Sequence, residues 1–397
     1  MDKNTGALPK VTEAEIGDIL FSLLRTDTSN PPGGEKALAL FIQNYLRDHG
    51  MPEEGIHLIR HSADRASLVV CLPGRNRDLT LGFAGHLDTV PSGNIADWHG
   101  NPFDPVQRDG MVYGRGAADM KGGLAAMIAL CLSYLRRGPP PVNVHLFFTA
   151  DEEAGGIGIR TIREAGWFEN VSFLFVCEPT DGRPAVCEKG LAWYDFTVAG
   201  KGAHAAMPNE GLNAIELGYA CLGGIKQKIQ RLTKEHPLLG NNTFSITQMS
   251  GGIKINVIPD QACFSADIRL VPPADQDTVE EIFLAAAREY AEAYPGLSVR
   301  WKRRDYRTAL ETDSNHPAVA WLTGTCGKKP AGIYYFTDAS LVIPYYPRLP
   351  FIIMGPGNPG ECHRPNEKIA PPSIEQTAGR YYQFIETADP EWFRGSG

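Results

Sequence analysis

Five short patches combine imidazoles and carboxylates in a fixed order along the chain: Gly85-His86-Leu87-Asp88, Asp119-Met120-Lys121-Gly122-Gly123, Asp151-Glu152-Glu153, Cys177-Glu178-Pro179 and Cys362-His363. Zinc accepts imidazole nitrogen and carboxylate oxygen readily, and two ions held ~3.5–4 Å apart need at least one ligand that reaches both. A carboxylate can bridge. A dinuclear centre therefore needs one bridging acid and a pair of outer ligands for each ion, and Asp119, His86, Glu178, Glu153 and His363 are the candidates. Glu152 is then left over beside a candidate ligand, where it could take a proton from activated water. Asp88, two residues beyond His86, is expected to orient that imidazole rather than to bind metal. The patches together read as a two-metal hydrolase.

Singly, each patch has a plain structural reading. His86 alone would be a loop or core histidine, Asp151-Glu152-Glu153 a solvated acidic turn, Gly122-Gly123 a close helix contact and Gly114-Arg115-Gly116 a turn. The specificity lies in their joint order and in the elements that lead to them. Apolar runs at 79–84, 144–149 and 173–176 read as strands entering His86, Asp151 and Glu178, and 351–354 leads through the Gly-Pro-Gly-Asn-Pro-Gly loop toward His363. Asp119 is expected to open a helix running to about Arg137, with Gly138 as its stop. Five polar ends would then meet at the carboxyl edge of one sheet, where α/β enzymes keep their chemistry.

Between about 193 and 303 the pattern changes. Strands at 193–199, 243–249, 262–270 and 297–301 alternate with helices at 213–230 and 278–293, giving β-α-β-β-α-β, the order of a ferredoxin-like domain. The flanks, 1–192 and 304–397, share the metal candidates, so the expected architecture is an α/β, mixed-sheet catalytic domain interrupted by the insert at 193–303. Helical faces at 11–24 and 35–49 would cover the larger sheet, and Pro139-Pro140-Pro141 would be a rigid helix-to-strand connection.

At 397 residues, 43% hydrophobic and 21% charged, the chain can build two cored domains. A net charge of −8 implies no broad basic surface for nucleic acid or anionic lipid. The opening residues 1–6 lack the apolar core of a signal peptide, and no apolar run is seen to approach the ~20 residues that span a bilayer, so a cytoplasmic enzyme is expected. The eight cysteines form no C-x-x-C pair and read as reduced, mostly buried thiols, with Cys177 and Cys362 beside candidate ligands. The closing Gly395-Ser396-Gly397 reads as a remnant of recombinant expression.

The joint pattern resembles the co-catalytic metallopeptidase family of aminoacylase, acetylornithine deacetylase, succinyl-diaminopimelate desuccinylase and glutamate carboxypeptidase. The matching residues are Gly85-His86-Leu87-Asp88-Thr89-Val90-Pro91, Tyr113-Gly114-Arg115-Gly116, Asp119-Met120-Lys121-Gly122-Gly123, Thr149-Ala150-Asp151-Glu152-Glu153 and Glu178-Pro179-Thr180. Gly202-Ala203-His204-Ala205 with Pro208, Asn213-Ala214-Ile215, Asn256-Val257-Ile258-Pro259 and His363 extend it over nearly the whole chain.

The resemblance implies a zinc-peptidase catalytic domain with an inserted lid that also dimerises. It implies two Zn²⁺ ions, with Co²⁺ or Mn²⁺ as compatible alternatives. His86 and Glu178 would hold one ion, Glu153 and His363 the other, Asp119 would bridge, and Glu152 would be the general base and acid. His204 resembles the lid residue that stabilises the oxyanion in the neighbouring subunit's site. Asn256 and Arg269 match substrate-contacting lid positions, the planar fork of Arg269 suiting a carboxylate. The segment 337–340 resembles a substrate-facing loop, with a simple turn as its alternative. The expected activity is hydrolysis of the amide bond of a small N-acyl amino acid by a homodimer. The alternatives are a carboxypeptidase or dipeptidase-type exopeptidase and, from another class, a metal-dependent binding protein without turnover; Glu152 beside a full ligand set argues against the last.

Overall fold

The computed structural model describes Leu8 and residues 10–393; residues 1–6 and Gly395-Ser396-Gly397 lie outside the described residues. The chain forms two compact units, one of Met1–Val186, Thr312–Ala331 and Thr337–Gly397, the other of Cys187–Glu311 and Gly332–Phe336.

In the first unit the sheet runs, in spatial order, Ile56–Arg60, Ala66–Leu72, Val142–Thr149, Asn76–His86, Phe173–Pro179 and Phe351–Gly355. The first two strands are antiparallel to their neighbours, and the last four are mutually parallel. Parallel strands end on the same edge, so His86, the Asp151-Glu152-Glu153 turn, Glu178 and the loop toward His363 all leave the sheet on one side. The central strands are buried along nearly their whole length, as strands covered on both faces must be. On one face Phe83 stacks on Phe175 at 4.7 Å with Tyr381 against both rings, and on the other Phe147 packs on Phe168 at 4.6 Å. Helices Glu13–Leu24 and Pro371–Thr387 pack on the buried helix Gly122–Arg137, while Glu35–Asp48 lies on strand Ala66–Leu72.

Asp119 does not open a helix. The segment Ala117–Lys121 is an irregular turn in which Asp119 (φ −119°, ψ 96°) and Met120 are non-helical, and the regular helix begins at Gly122 and ends at Arg137, with Gly138 at φ 115°. The reason is a tertiary contact: a Cβ on Gly123 would collide with the Cys177 carbonyl, so the helix start lies directly on the strand that carries Glu178. The chain upstream must therefore turn sharply, and Gly116 (φ 84°) begins that turn. A second expectation also changes. Ala117–Arg137 is long and apolar enough to cross a bilayer, but 89% of its most apolar window is buried within the protein, which marks it as a core helix.

The second unit has the order strand, helix, strand, strand, helix, strand. Its sheet runs Thr243–Gly251, Gln261–Leu270, Gly190–Ala199, Ser298–Arg307, antiparallel throughout. The last strand extends six residues beyond the expected Trp301. Alternate residues Tyr194, Phe196, Val198, Phe264, Ala266 and Ile268 are buried against helices Ala214–Gln230 and Gln276–Ala293, while the opposite face stays open to solvent. Asn213 caps the first helix through the amides of Ile215 and Glu216, and Asp275 caps the second through Thr278.

Candidate metal centre

Two histidines and three carboxylates meet at the carboxyl edge of the first unit's sheet. The His86 ring is buried, and its Nδ1 donates to the main-chain carbonyl of Asp88 at 2.9 Å, which leaves Nε2 as the lone-pair nitrogen of the neutral ring. That nitrogen faces Asp119 Oδ1 at 3.1 Å and Glu178 Oε1 at 3.4 Å. The second oxygen of Asp119, Oδ2, lies 3.2 Å from His363 Nε2, which in turn lies 3.3 Å from Glu153 Oε1. Asp119 thus divides its two oxygens between two histidine–carboxylate pairs. One donor atom each from His86, Asp119 and Glu153 also falls within 4.8 Å of the others.

These separations fit a metal better than they fit protons. Ligands at ~2.0–2.1 Å around a tetrahedral zinc stand roughly 3.3 Å apart along each edge, the spacing seen between the nitrogens and oxygens here. Glu153 Oε1 is buried and makes no hydrogen bond despite the nearby histidine. Five carboxylates, Asp88, Asp119, Glu152, Glu153 and Glu178, face only two imidazoles, an arrangement that divalent cations would balance. Without them the two imidazoles are drawn to their protons. Burial disfavours a charged His86, but Glu178 and Asp119 outweigh it and hold its pKa well above the ordinary range. The facing carboxylates of Asp119 and then Glu153 raise His363 to about 10. Burial works against ionisation of Asp119, yet its bonds to His363 and His86 hold it well below the usual carboxylate range. Burial pushes Glu178 up to about 7.

Glu152 stands apart from this set. Its carboxylate has no hydrogen-bond partner among the described residues, whereas neighbouring Glu153 turns toward His363. Loss of solvent holds Glu152 well above the ordinary carboxyl range, opposed by His86 and reinforced by Glu178, Glu153 and Asp338.

Asp88 meets the His86 ring through its carbonyl rather than its side chain, whose nearer oxygen is 3.7 Å from Nδ1. Its carboxylate instead accepts the main-chain amides of Glu152 and Glu153, both at 3.1 Å. Burial raises that carboxyl to about 6. Asn30 holds the arrangement from behind, donating from Nδ2 to Asp88 Oδ2 at 2.9 Å and to Asp151 Oδ1 at 3.0 Å. Arg65 joins Asp151 at 2.8 Å and pairs with Glu35, which accepts the Asp151 amide. Neither Asn30 nor Arg65 was singled out by sequence; for Asn30 the one local cue was a polar residue directly before two prolines. Glu367 was missed as well. It accepts amides of the Asp119 turn, and the cue was Arg115, a cation in a glycine-rich motif that requires a buried anion.

Burial pushes the neighbouring thiol of Cys177 up to about 12 and that of Cys362 higher still, which favours their protonated forms. None of the eight cysteines forms a disulfide, and only Cys263 is exposed. The segment 337–340 is a buried turn in which Asp338 accepts the Thr149 hydroxyl at 2.6 Å.

His204, Asn256 and Arg269 belong to the second unit. A short ladder pairs Ala203–His204 with Val257–Ile258, and the Ala205 amide donates to the Asn256 carbonyl at 3.0 Å, so His204 and Asn256 share one exposed loop pair. Arg269 is engaged at two points by Asp267, at 2.9 and 3.0 Å.

Among curated proteins, the chain is 28% identical to an acetylornithine deacetylase of Vibrio cholerae over 375 residues, 93% of this chain and 96% of that one. It is 26% identical to a protein named probable succinyl-diaminopimelate desuccinylase of Staphylococcus epidermidis over 325 residues, 73% and 78% of the two chains. Among solved structures, an aminopeptidase PepT of Bacillus cereus superposes with a TM-score of 0.78 at 19% identity, covering 95% of this chain and 98% of that one. A dinuclear metal-binding peptidase of Bacillus subtilis gives 0.69 at 18%, covering 94% and 97%. The sequence pattern of peptidase family M20/M25/M40 matches residues 82–387, a span that holds all five metal-candidate residues: the chain belongs to this family of metal-dependent hydrolases of small acylated amino acids and peptides.

Proposed function

We propose that the protein hydrolyses the amide bond of a small N-acyl amino acid, as a deacylase of the acetylornithine or succinyl-diaminopimelate type. The observation that carries this reading is the division of Asp119 between two histidine–carboxylate pairs, with an unpaired Glu152 beside them. The two curated relatives named for such activities support the substrate class. In this reading His86 and Glu178 hold one ion, Glu153 and His363 the other, and Asp119 bridges; zinc is the favoured metal, with cobalt or manganese compatible with the same donors. Bound ions supply Lewis acidity toward the scissile carbonyl and toward water. Glu152 takes the water proton and delivers it to the leaving amine. His204 donates to the developing oxyanion from Nε2, the tautomer favoured by its Nδ1 accepting the Ala206 amide at 3.0 Å. Asp88 and Asn30 keep the Glu152-Glu153 peptides in place. A cytoplasmic homodimer, with the second unit as lid and dimerisation module, completes the reading.

A dipeptidase or carboxypeptidase-type exopeptidase is the second reading, favoured by the similarity to solved peptidases. Assaying the metal-loaded protein against acetyl-, succinyl- and formyl-amino acids and dipeptides for free amine separates the two. Higher kcat/KM on an acyl amino acid is expected. Preference for dipeptides selects the second reading, and no turnover on either class overturns both.

Arg269 is assigned to the substrate's α-carboxylate. Asp267 fixes the fork's orientation, and Nη1 has no hydrogen-bond partner among the described residues. Arg269→Lys should weaken carboxylate-bearing substrates by about 1–3 kcal/mol, the scale of a charge-assisted hydrogen bond, while sparing their amidated analogues. Equal loss on both would point to a folding role.

His204 is assigned to the partner's site. Mixed dimers of Glu152→Ala and His204→Ala subunits would then contain one intact site, because the His204→Ala subunit supplies Glu152 and its partner supplies His204. Random mixing makes about half the dimers mixed, so roughly a quarter of sites should regain activity. Absence of recovery, with mixed dimers verified by mass, would contradict action across subunits.

A further inference from the structure

We infer that Glu367 is the positioning residue that sets Asp119 between the two histidines, and through it the occupancy of the second cation site. The inference rests on the reading of Asp119 as a shared ligand. Glu367 is 1% exposed and accepts four hydrogen bonds. Its Oε2 takes Arg115 Nη1 at 2.7 Å and the Gly116 amide at 3.0 Å, and its Oε1 takes the amides of Ala118 at 2.8 Å and Asp119 at 2.9 Å. Those three amides belong to the irregular turn that replaces a regular helix start around Asp119, so they have no helical carbonyl of their own to bond. A single carboxylate is therefore the centre around which the turn is built.

The same residue ties this turn to His363. Glu367 lies four residues after that histidine, its carbonyl accepts the Gly114 amide at 3.0 Å, and the adjoining strand Lys368–Ile369 pairs with Met111–Tyr113. Asp119 and His363 thus sit on two chain segments bolted together at Glu367, which is how Asp119 Oδ2 comes to lie 3.2 Å from His363 Nε2. In Glu367→Gln the new amide must face two donors whichever way it turns, Arg115 with Gly116 or Ala118 with Asp119. Glu367→Asp keeps the charge but shortens the reach by one methylene.

The test titrates Zn²⁺ into chelated, metal-free protein by calorimetry, with melting temperature and separate kcat and KM measured for the loaded forms. Wild type should bind two equivalents. Both variants should bind the weaker equivalent at least ~10-fold less tightly, on the scale of losing a partner that holds a ligand, and should lose kcat with KM little changed. Variants that melt earlier yet bind both equivalents with wild-type affinity would overturn the inference, since a purely structural role moves only the melt. Hydrogen exchange of the metal-free wild type gives the answer if neither variant folds. The Gly116, Ala118 and Asp119 amides should already be protected before metal is added; their free exchange in a folded apo-protein would overturn the inference. Fewer than two equivalents in wild type would instead contradict the two-metal reading and leave the exchange result standing on its own.

Discussion

Glu152→Gln should lower kcat by at least ~10²-fold, the usual scale for removing a general base, while the protein keeps its full metal complement. The amide is close in shape to the carboxylate but cannot take a proton from water. Nothing structural opposes the exchange, since the Glu152 carboxylate has no hydrogen-bond partner among the described residues and only its main-chain amide is tied, to Asp88. Because the group acts on the reacting water rather than on substrate, the loss should fall on kcat with KM little altered. Glu153→Ala, one residue on, should instead lose metal, as its Oε1 is the buried oxygen facing His363. Near-full turnover by Glu152→Gln with all metal in place would remove Glu152 from the chemistry.

Asp119→Asn should have a larger effect. The substitution keeps the size of the side chain and the hydrogen bond that the main-chain amide of residue 119 donates to Glu367, but only one oxygen remains where two now face His86 and His363. At least one ion should then bind more than ~100-fold more weakly, beyond the 10–100-fold typical of losing an outer partner. Activity should fall by about 10³-fold or more, equivalent to the several kcal/mol of charge stabilisation that an ion supplies. Retention of both ions and wild-type activity would mean that Asp119 does not join the two ligand sets.

The parts of this site that were legible in sequence are those whose physics is local. A buried parallel strand must be an apolar run, and it must end where polar residues begin; 79–84, 144–149 and 173–176 announced both facts, and their common direction explains why His86, Glu152, Glu153 and Glu178 share an edge. The Asp119 turn was not legible, because Met120 and the following residues continue smoothly into an apolar helical stretch and nothing local reveals that Gly123 must sit against the Cys177 carbonyl. Asp88 was expected to orient His86, but its carboxylate serves main-chain amides 64 and 65 residues away. Main-chain amides leave no mark in a sequence, so Glu367 was hinted at only by Arg115, and Asn30 was hidden because its side-chain partners Asp88 and Asp151 lie 58 and 121 residues away. The Asp267–Arg269 pair is a different case: residues two apart share one face of a strand, so the contact could have been anticipated from strand periodicity alone.

The two-metal centre is tested most directly by counting ions. Wild-type protein stripped by chelation, reloaded with Zn²⁺ and freed of excess should hold two ions per chain by elemental analysis, with activity restored in step with loading; an active enzyme holding one ion or none per chain would contradict the account.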